Sequence, residues 1–253
     1  MTFKELKELL SFSESASVEA RWILSENYSD SDIYKIIKRR KMGEPLSKIL
    51  GHRGFWKGDF FVDENVLDPR PDSETLIQAV LEKFPDKNQL LKILDLGTGS
   101  GCLLISLLME YKKATGIGVD VSKKAIEIAK INALKNGVIA KFILSDMANL
   151  PKNLGDFDLV ISNPPYIPTK DIEKLDKNVT DYDPLLALDG KEDGLYFYRI
   201  IADIAPIPVV FVEIGIGQAQ DVQQIFKEKS WQLWDVKKDF GGIERVLIFK
   251  KDL

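Results

Sequence analysis

From Leu91 onward the chain alternates short apolar runs with stretches of helical periodicity, and this alternation constrains the fold more than any other feature. Ile93-Leu94-Asp95-Leu96 reads as a strand that ends in a glycine loop, and a helix follows over about 103–111. A second strand is expected over 116–120. Ser122 then caps a long helix carrying Ala125, Ile126, Ile128, Ala129, Ala133 and Leu134 on its apolar side. Further strands are expected over 141–144, 157–162 and 208–214, with helices over 194–205 and 218–229. Strands separated by helices form a parallel sheet wound on both faces, an α/β architecture. The last two strands, over 232–237 and 245–250, are joined by Asp239-Phe240-Gly241-Gly242, which is too short for a parallel crossover. That pair is therefore antiparallel.

The first fifty residues have a different character. Phe3, Leu6, Leu9 and Leu10 share one helical face. Ser17 is expected to cap a second helix through Trp22 and Leu24, and Ser31 or Asp32 a third with Ile33, Ile36 and Ile37 inward. The basic run Lys38-Arg39-Arg40-Lys41 is expected to be a solvated helix end rather than a nucleic-acid contact, since cations favour a helix C-terminus. Gly43 and Pro45 stop that helix. Aromatic and glycine residues over 51–67 suggest a hairpin. Asp68-Pro69-Arg70-Pro71 then forbids a helix interior and marks the joint between two domains, 1–70 and 71–253.

Composition removes several chemistries by counting. The 253 residues include one cysteine, Cys102, so no internal disulfide can form, and one histidine, His52, so no multi-histidine metal site exists. No metal is expected. His52 is expected to be a structural or interdomain contact rather than a catalyst, and Cys102 a core residue. The net charge of -4 and pI of 5.3 lack the basic footprint of a stable nucleic-acid binder. No apolar run approaches the roughly 18 residues of a membrane span. Charged residues within the first ten exclude a secretory signal, and a cytoplasmic monomer is expected.

Three motifs carry the chemistry. Asp95-Leu96-Gly97-Thr98-Gly99-Ser100-Gly101 lies between a strand and a helix, where glycines let a ligand approach the backbone and the helix start offers free N–H groups. The spacing Gly-x-Gly-x-Gly differs from the dinucleotide fingerprint, which disfavours a dehydrogenase. Asp120 ends the next strand, where a carboxylate either accepts both hydroxyls of a ribose or caps the following helix. Asn163-Pro164-Pro165-Tyr166 follows the strand over 157–162. Two prolines hold this backbone extended. The Asn163 side-chain oxygen and the Pro164 carbonyl are acceptors that together grip both hydrogens of a planar –NH2 group, with Tyr166 over its face. The bland alternative is a proline-rich turn.

With the glycine loop, Asp120 and Asn163-Pro164-Pro165-Tyr166 in place, the chain resembles the S-adenosylmethionine-dependent methyltransferases that modify amino groups. Ile49-Leu50-Gly51-His52-Arg53, Leu67-Asp68-Pro69-Arg70-Pro71, Tyr182-Asp183-Pro184-Leu185-Leu186-Ala187-Leu188-Asp189-Gly190 and Glu213-Ile214-Gly215 narrow the resemblance to the release factor glutamine methyltransferase family. It covers nearly the whole chain. It implies a seven-stranded doubly wound sheet with an antiparallel last strand, and a small N-terminal helical domain joined to it by a β-hairpin. The helical domain would recognise the partner. The implied reaction moves a methyl group from S-adenosylmethionine to the glutamine amide nitrogen in the Gly-Gly-Gln motif of class 1 peptide chain release factors, leaving S-adenosylhomocysteine. The implied cofactor residues are Gly97, Thr98, Gly99, Ser100, Gly101, Asp120, Asp146, Met147 and Asn163. The implied substrate residues are Asn163, Pro164, Pro165 and Tyr166, with Asn163, Pro164 and Tyr166 serving the chemistry.

The chain departs from the family pattern in three places. It has Asp72-Ser73-Glu74 where Glu-Thr-Glu is frequent, Tyr182-Asp183-Pro184 where Tyr-Glu-Pro is frequent, and Met147 where an aromatic residue often stands. Met147 offers adenine a softer contact than a ring does. Arg70 either faces the release factor or ties the joint together, and Glu213 serves either structure or function. The competing readings are an exocyclic-amine methyltransferase acting on DNA or RNA, which shares Asn163 to Tyr166, and a non-catalytic nucleotide-binding module, which has no need of it.

Overall fold

The computed structural model describes residues 1–152, 154–204 and 207–251. Four helices open the chain: α1 (Phe3–Leu9), α2 (Ala16–Ser25), α3 (Asp30–Lys41) and α4 (Leu46–Leu50). They bury their own apolar cluster, including Leu6, Leu10, Ile23, Ile33, Ile37 and Leu46. Two expected caps lie elsewhere. Ser29, not Ser31 or Asp32, caps α3, accepting from the Asp32 amide at 3.2 Å. Ser17 lies inside α2, because the Ser13 hydroxyl already turns the chain by accepting from the Ser15 amide and donating to Glu19. The basic run is partly consumed by acids: Arg39 pairs with Glu44, and Arg40 pairs with Glu19 at 3.0 Å. Helix α4 lies beyond the expected stop at Pro45, which occupies its N-cap position.

The expected hairpin consists of β1 (His52–Phe55) and β2 (Gly58–Phe61), paired antiparallel around Trp56 and Lys57. Trp56 takes a positive φ of 53° to make this turn. Phe55 and Phe60 enter the apolar cluster of the large sheet. His52 lies between Asp59 (2.8 Å) and Glu26 (3.3 Å), edge-on to Trp22, and takes no part in the cavity described below.

Seven strands form the large sheet in the order β5-β4-β3-β6-β7-β9-β8. They are β3 (Lys92–Leu96), β4 (Thr115–Asp120), β5 (Lys141–Leu144), β6 (Leu159–Ser162), β7 (Val209–Glu213), β8 (Gln232–Lys238) and β9 (Glu244–Lys250). All neighbouring pairs from β5 to β7 are parallel, whereas β9 runs antiparallel to both β7 and β8. Alternate residues of each strand face opposite layers. Ile93, Leu159, Ile161, Phe211, Val246 and Ile248 pack under α5 (Glu74–Lys83), α6 (Cys102–Glu110) and α7 (Lys123–Lys135). Leu94, Val160, Val210, Val212, Leu247 and Phe249 join the other layer, built on α11 (Tyr196–Ala202) and α12 (Ala219–Glu228). Between β6 and α11 lie three four-residue helices that sequence periodicity does not reveal: α8 (Thr169–Ile172), α9 (Lys177–Thr180) and α10 (Leu185–Leu188). The expected end of the helix over 194–205 falls outside the described residues.

Helix α7 also completes the hairpin. Asn132 and Asn136, four residues apart, share one helical face. The Asn132 Oδ1 accepts from the Phe61 amide at 2.6 Å, and its Nδ2 donates to the Phe61 carbonyl (3.0 Å) and the Ser100 carbonyl (2.9 Å). Asn136 treats both backbone groups of Asp59 in the same way. The two amides act as a further strand for the open edge of β2 and tie it to the glycine loop. Asn132→Ala is expected to cost about 2–4 kcal/mol, because it leaves buried backbone groups unpaired. Urea unfolding checks this, and a loss below about 0.5 kcal/mol would show that water replaces the amide.

Candidate active site

Parallel sheets bind ligands where strand order reverses, beyond the carboxyl ends of the strands. Here that point lies between β3 and β6, whose ends are aligned by the pairing of Leu96 with Ser162. The glycine loop leaves β3 and Asn163 leaves β6, so the two motifs emerge side by side.

The loop is held from below. The Gly97 and Thr98 amides both donate to the Val119 carbonyl at 2.9 Å, and the Thr98 hydroxyl donates to Asp95 at 2.6 Å. Gly99 has a φ of 54°, and a Cβ there would meet only its own loop, at 4.0 Å, so this backbone faces open space. Gly101 serves packing instead. With a φ of 80° it stands at the N-cap of α6, and a Cβ there would come within 2.9 Å of Ile105 and 3.2 Å of Ala129. Asp120 accepts from the Gly99 amide (2.9 Å) through one carboxylate oxygen and from the Ser122 amide (2.8 Å) through the other. Each oxygen keeps a lone pair for a hydroxyl. The helix cap itself is Ser122, whose hydroxyl accepts from Ala125 at 3.2 Å.

Asp146 caps the short turn Met147–Asn149, accepting from Ala148 at 2.9 Å. This leaves Met147 on the cavity wall, 3.5 Å from where a Gly97 Cβ would stand. The Asn163 Nδ2 donates to the Ser73 hydroxyl at 3.1 Å. One cavity of about 240 Å³ is lined by Gly97, Thr98, Gly99, Ser100, Asp120, Asp146, Met147, Asn163 and Pro165. Gly101, Pro164 and Tyr166 do not line it. Tyr166 packs with the α11/α12 layer, and its carbonyl accepts from the Gln218 side chain at 2.9 Å.

The segment from Glu64 to Arg70, which reads in sequence as a domain joint, forms another wall of this cavity together with Ser73 and Pro184. Arg70 donates to Asp183 at 2.6 Å, and the buried Lys48 reaches the same carboxylate at 3.4 Å. Arg70 therefore ties the joint to the segment over the site. Ser73, Lys48 and Asp183 gave no signal of this in sequence, since each acquires its role only by tertiary contact.

Burial dominates the electrostatics. It pushes Asp95 up to about 7 against the Thr98 hydrogen bond, and Glu213 up to about 7 against hydrogen bonds led by Ser73. Burial also raises Asp120, and it lifts Tyr166 to about 12. Asp95 and Glu213 keep protons in the folded chain that they release near 4 when unfolded. The folded state therefore binds more protons over roughly pH 5–7, and stability falls as pH rises through that window, by on the order of 3 kcal/mol for each group. Glu110 and Asp235 act oppositely. Burial of Glu110 is outweighed by hydrogen bonds from Lys57, Lys87 and Trp56, and Asp235 is held by Lys83, so both lie at about 2. Their contribution is present above the ordinary carboxylate range and is lost as pH falls toward 2. Urea unfolding of the ligand-free protein is expected to give lower stability at pH 8 than at pH 5, and a rising profile would contradict this assignment.

The donor set fits an adenosyl cofactor. A glycine loop leaves room for backbone approach, a carboxylate with spare lone pairs stands at a strand end, and a buried Asp95 oxygen has no partner among the described residues. Residues 87–190 match the family described as "Methyltransferase domain". A release factor glutamine methyltransferase of Rhodospirillum rubrum is 44% identical over 223 residues, spanning 85% of this chain and 67% of the relative. That of Agrobacterium fabrum is 41% identical over 87% of this chain and 78% of its own length. The chain belongs to the release factor glutamine methyltransferase family. Among solved structures, a methyltransferase from Pyrococcus furiosus shares the fold, with a TM-score of 0.58 at 16% identity over 85% of this chain and 99% of that one. As a member of this family the protein is a methyltransferase, with the seven-stranded sheet and antiparallel β9 expected of one. Among the described residues no helix is long and apolar enough to cross a membrane.

Proposed function

We propose that the protein transfers the methyl group of S-adenosylmethionine to the side-chain amide nitrogen of the glutamine in the Gly-Gly-Gln motif of class 1 release factors, in the cytoplasm. The observation that carries this reading is the Asn163 amide. Its nitrogen is spent on Ser73, which turns its oxygen to the cavity wall shared with the glycine loop and Asp120. In this reading residues 1–70 grip the release factor, the loop of Gly97 to Gly101 with Asp120, Asp146 and Met147 holds the cofactor, and Asn163 to Tyr166 holds the glutamine.

S-adenosylmethionine supplies an activated methyl group on a sulfonium. The chain must then make a poor nucleophile react, because an amide nitrogen shares its lone pair with its carbonyl. The Asn163 oxygen and the Pro164 carbonyl accept the two N–H hydrogens and return electron density to the nitrogen. They also fix its direction, and orientation of this kind supplies several kcal/mol. As the new bond forms the nitrogen becomes positive, so both acceptors bind the transition state more strongly than the ground state. The nitrogen then sheds an acidic proton to water, and no dedicated base is required.

The test is methyl transfer from labelled S-adenosylmethionine to three acceptors: a class 1 release factor, its Gln→Ala motif variant, and unmethylated DNA. Label on the intact release factor alone is the expected result. Label on DNA would keep the amine site and overturn the substrate.

A further inference from the structure

An asparagine side chain has two ends of similar size and opposite polarity. Its oxygen accepts the hydrogens of an amino group, and its –NH2 end would repel them. Something must therefore fix which end of Asn163 faces the cavity. Ser73 alone cannot do this, because a hydroxyl donates or accepts equally well. Behind Ser73 stands Glu213. The parallel pairing of Ser162 with Val212 places Asn163, the residue just past β6, beside Glu213, the last residue of β7. Glu213 is 2% exposed, one of its carboxylate oxygens has no hydrogen-bond partner among the described residues, and Ser73 and Asn163 are the neighbouring side chains that favour its charged form.

We propose that Glu213 is a positioning residue that sets the polarity of a hydrogen-bond chain running from its carboxylate through Ser73 to Asn163, so that the Asn163 oxygen faces the acceptor amine. An ionised carboxylate only accepts. It takes the Ser73 proton and leaves the Ser73 oxygen as an acceptor for the Asn163 Nδ2, seen at 3.1 Å. Protonated Glu213 becomes a donor to Ser73. The Ser73 hydroxyl is then free to donate to the Asn163 oxygen, and the amide turns its nitrogen to the cavity. This inference rests on the reading of Asn163 as the acceptor for the target amine.

Glu213 is poised for such a change, with a pKa of about 7. Several groups face it. Arg245 on β9 favours its charge, and Asp72 opposes it. Tyr166 and Cys102 stand at about 12, Tyr198 lies well above its ordinary value, and Arg245 is raised above its own, so none of these titrates near neutrality. Tyr198 also donates to the Glu213 carbonyl at 2.9 Å, which anchors the backbone. Asp95, likewise near 7, lies under the glycine loop, where saturating cofactor removes its effect on binding from kcat.

The experiment compares wild type, Glu213→Gln, Ser73→Ala and Asn163→Ala at saturating cofactor and release factor over pH 6–8.5. Wild-type kcat is expected to rise with pH through a midpoint near 7. Glu213→Gln is expected to lose roughly tenfold or more in kcat and to lack this limb, with cofactor Kd and release factor KM within about twofold of wild type. It removes a buried charge, so thermal unfolding should show an intact fold. Ser73→Ala, with Glu213 in place, is expected to lose the limb as well. The Asn163 side-chain 15N resonance should titrate with the same midpoint in wild type and stay constant in Glu213→Gln. Wild-type kcat and an unchanged limb in Glu213→Gln, beside an inactive Asn163→Ala, would overturn the positioning role alone. An active Asn163→Ala would overturn the acceptor reading and this inference with it.

Discussion

Asn163→Ala is expected to lower kcat for release factor methylation by about 10²–10³-fold while leaving the fold intact. Deleting one preorganised hydrogen-bond partner of a developing charge costs about that much. The loss should fall on kcat because the acceptor acts most strongly once the nitrogen turns positive. Asn163 also lines the cavity proposed to hold the cofactor, so a modest rise in cofactor Kd should accompany it, below about tenfold, as expected for loss of a neutral contact. Stability should change little, since the side chain is only half buried and makes one bond to Ser73. Single-turnover methylation separates these effects. Activity within threefold of wild type would remove Asn163 from the chemistry and leave the proline-rich turn as a merely structural corner.

Much of this site is legible along the chain because its parts are local. Short apolar runs followed by glycine, a serine before a helical stretch, and two prolines after a strand each determine structure within a few residues. This is why Ser122, Asp120 and Asn163 lie where the sequence places them. The antiparallel pairing of β8 with β9 is also forced, since Asp239 to Gly242 permits only a tight hairpin. What the sequence hides is assembled across the fold. Ser73 meets Asn163 only after α5 packs against β7 and β9, and Glu213 joins them only through strand register. The wall from Glu64 to Arg70 depends on Asn132 and Asn136 docking the hairpin. The helices α8, α9 and α10 are too short for periodicity, and two of them begin directly after a proline, which sequence reading treats as a stop. Strand β6 starts at Leu159 rather than 157, because Asp158 turns its side chain to the Lys92 amide at 2.7 Å, at the N-terminal end of β3.

Asp120→Ala is expected to weaken S-adenosylmethionine binding by about 10²-fold or more, with kcat at saturating cofactor close to wild type. Two effects add. A carboxylate that accepts two hydroxyls contributes about 1.5–3 kcal/mol per charged hydrogen bond, reduced by the cost of stripping water from it. The same carboxylate also holds the Gly99 amide at 2.9 Å and the Ser122 amide at 2.8 Å, so its loss loosens the glycine loop before any ligand arrives. Asp120→Asn carries both losses as well. It keeps the shape, yet its –NH2 end must face either the Gly99 or the Ser122 N–H, so the loop should loosen nearly as much as in the alanine variant. Burial raises the Asp120 pKa, so both substitutions relieve a buried charge, and the ligand-free protein should not become less stable at pH 8. Calorimetric titration with cofactor, set beside urea unfolding, reads both quantities. A cofactor Kd within threefold of wild type in Asp120→Ala would leave this carboxylate with a structural role at the start of α7, and the ribose site would have to be sought elsewhere along the cavity.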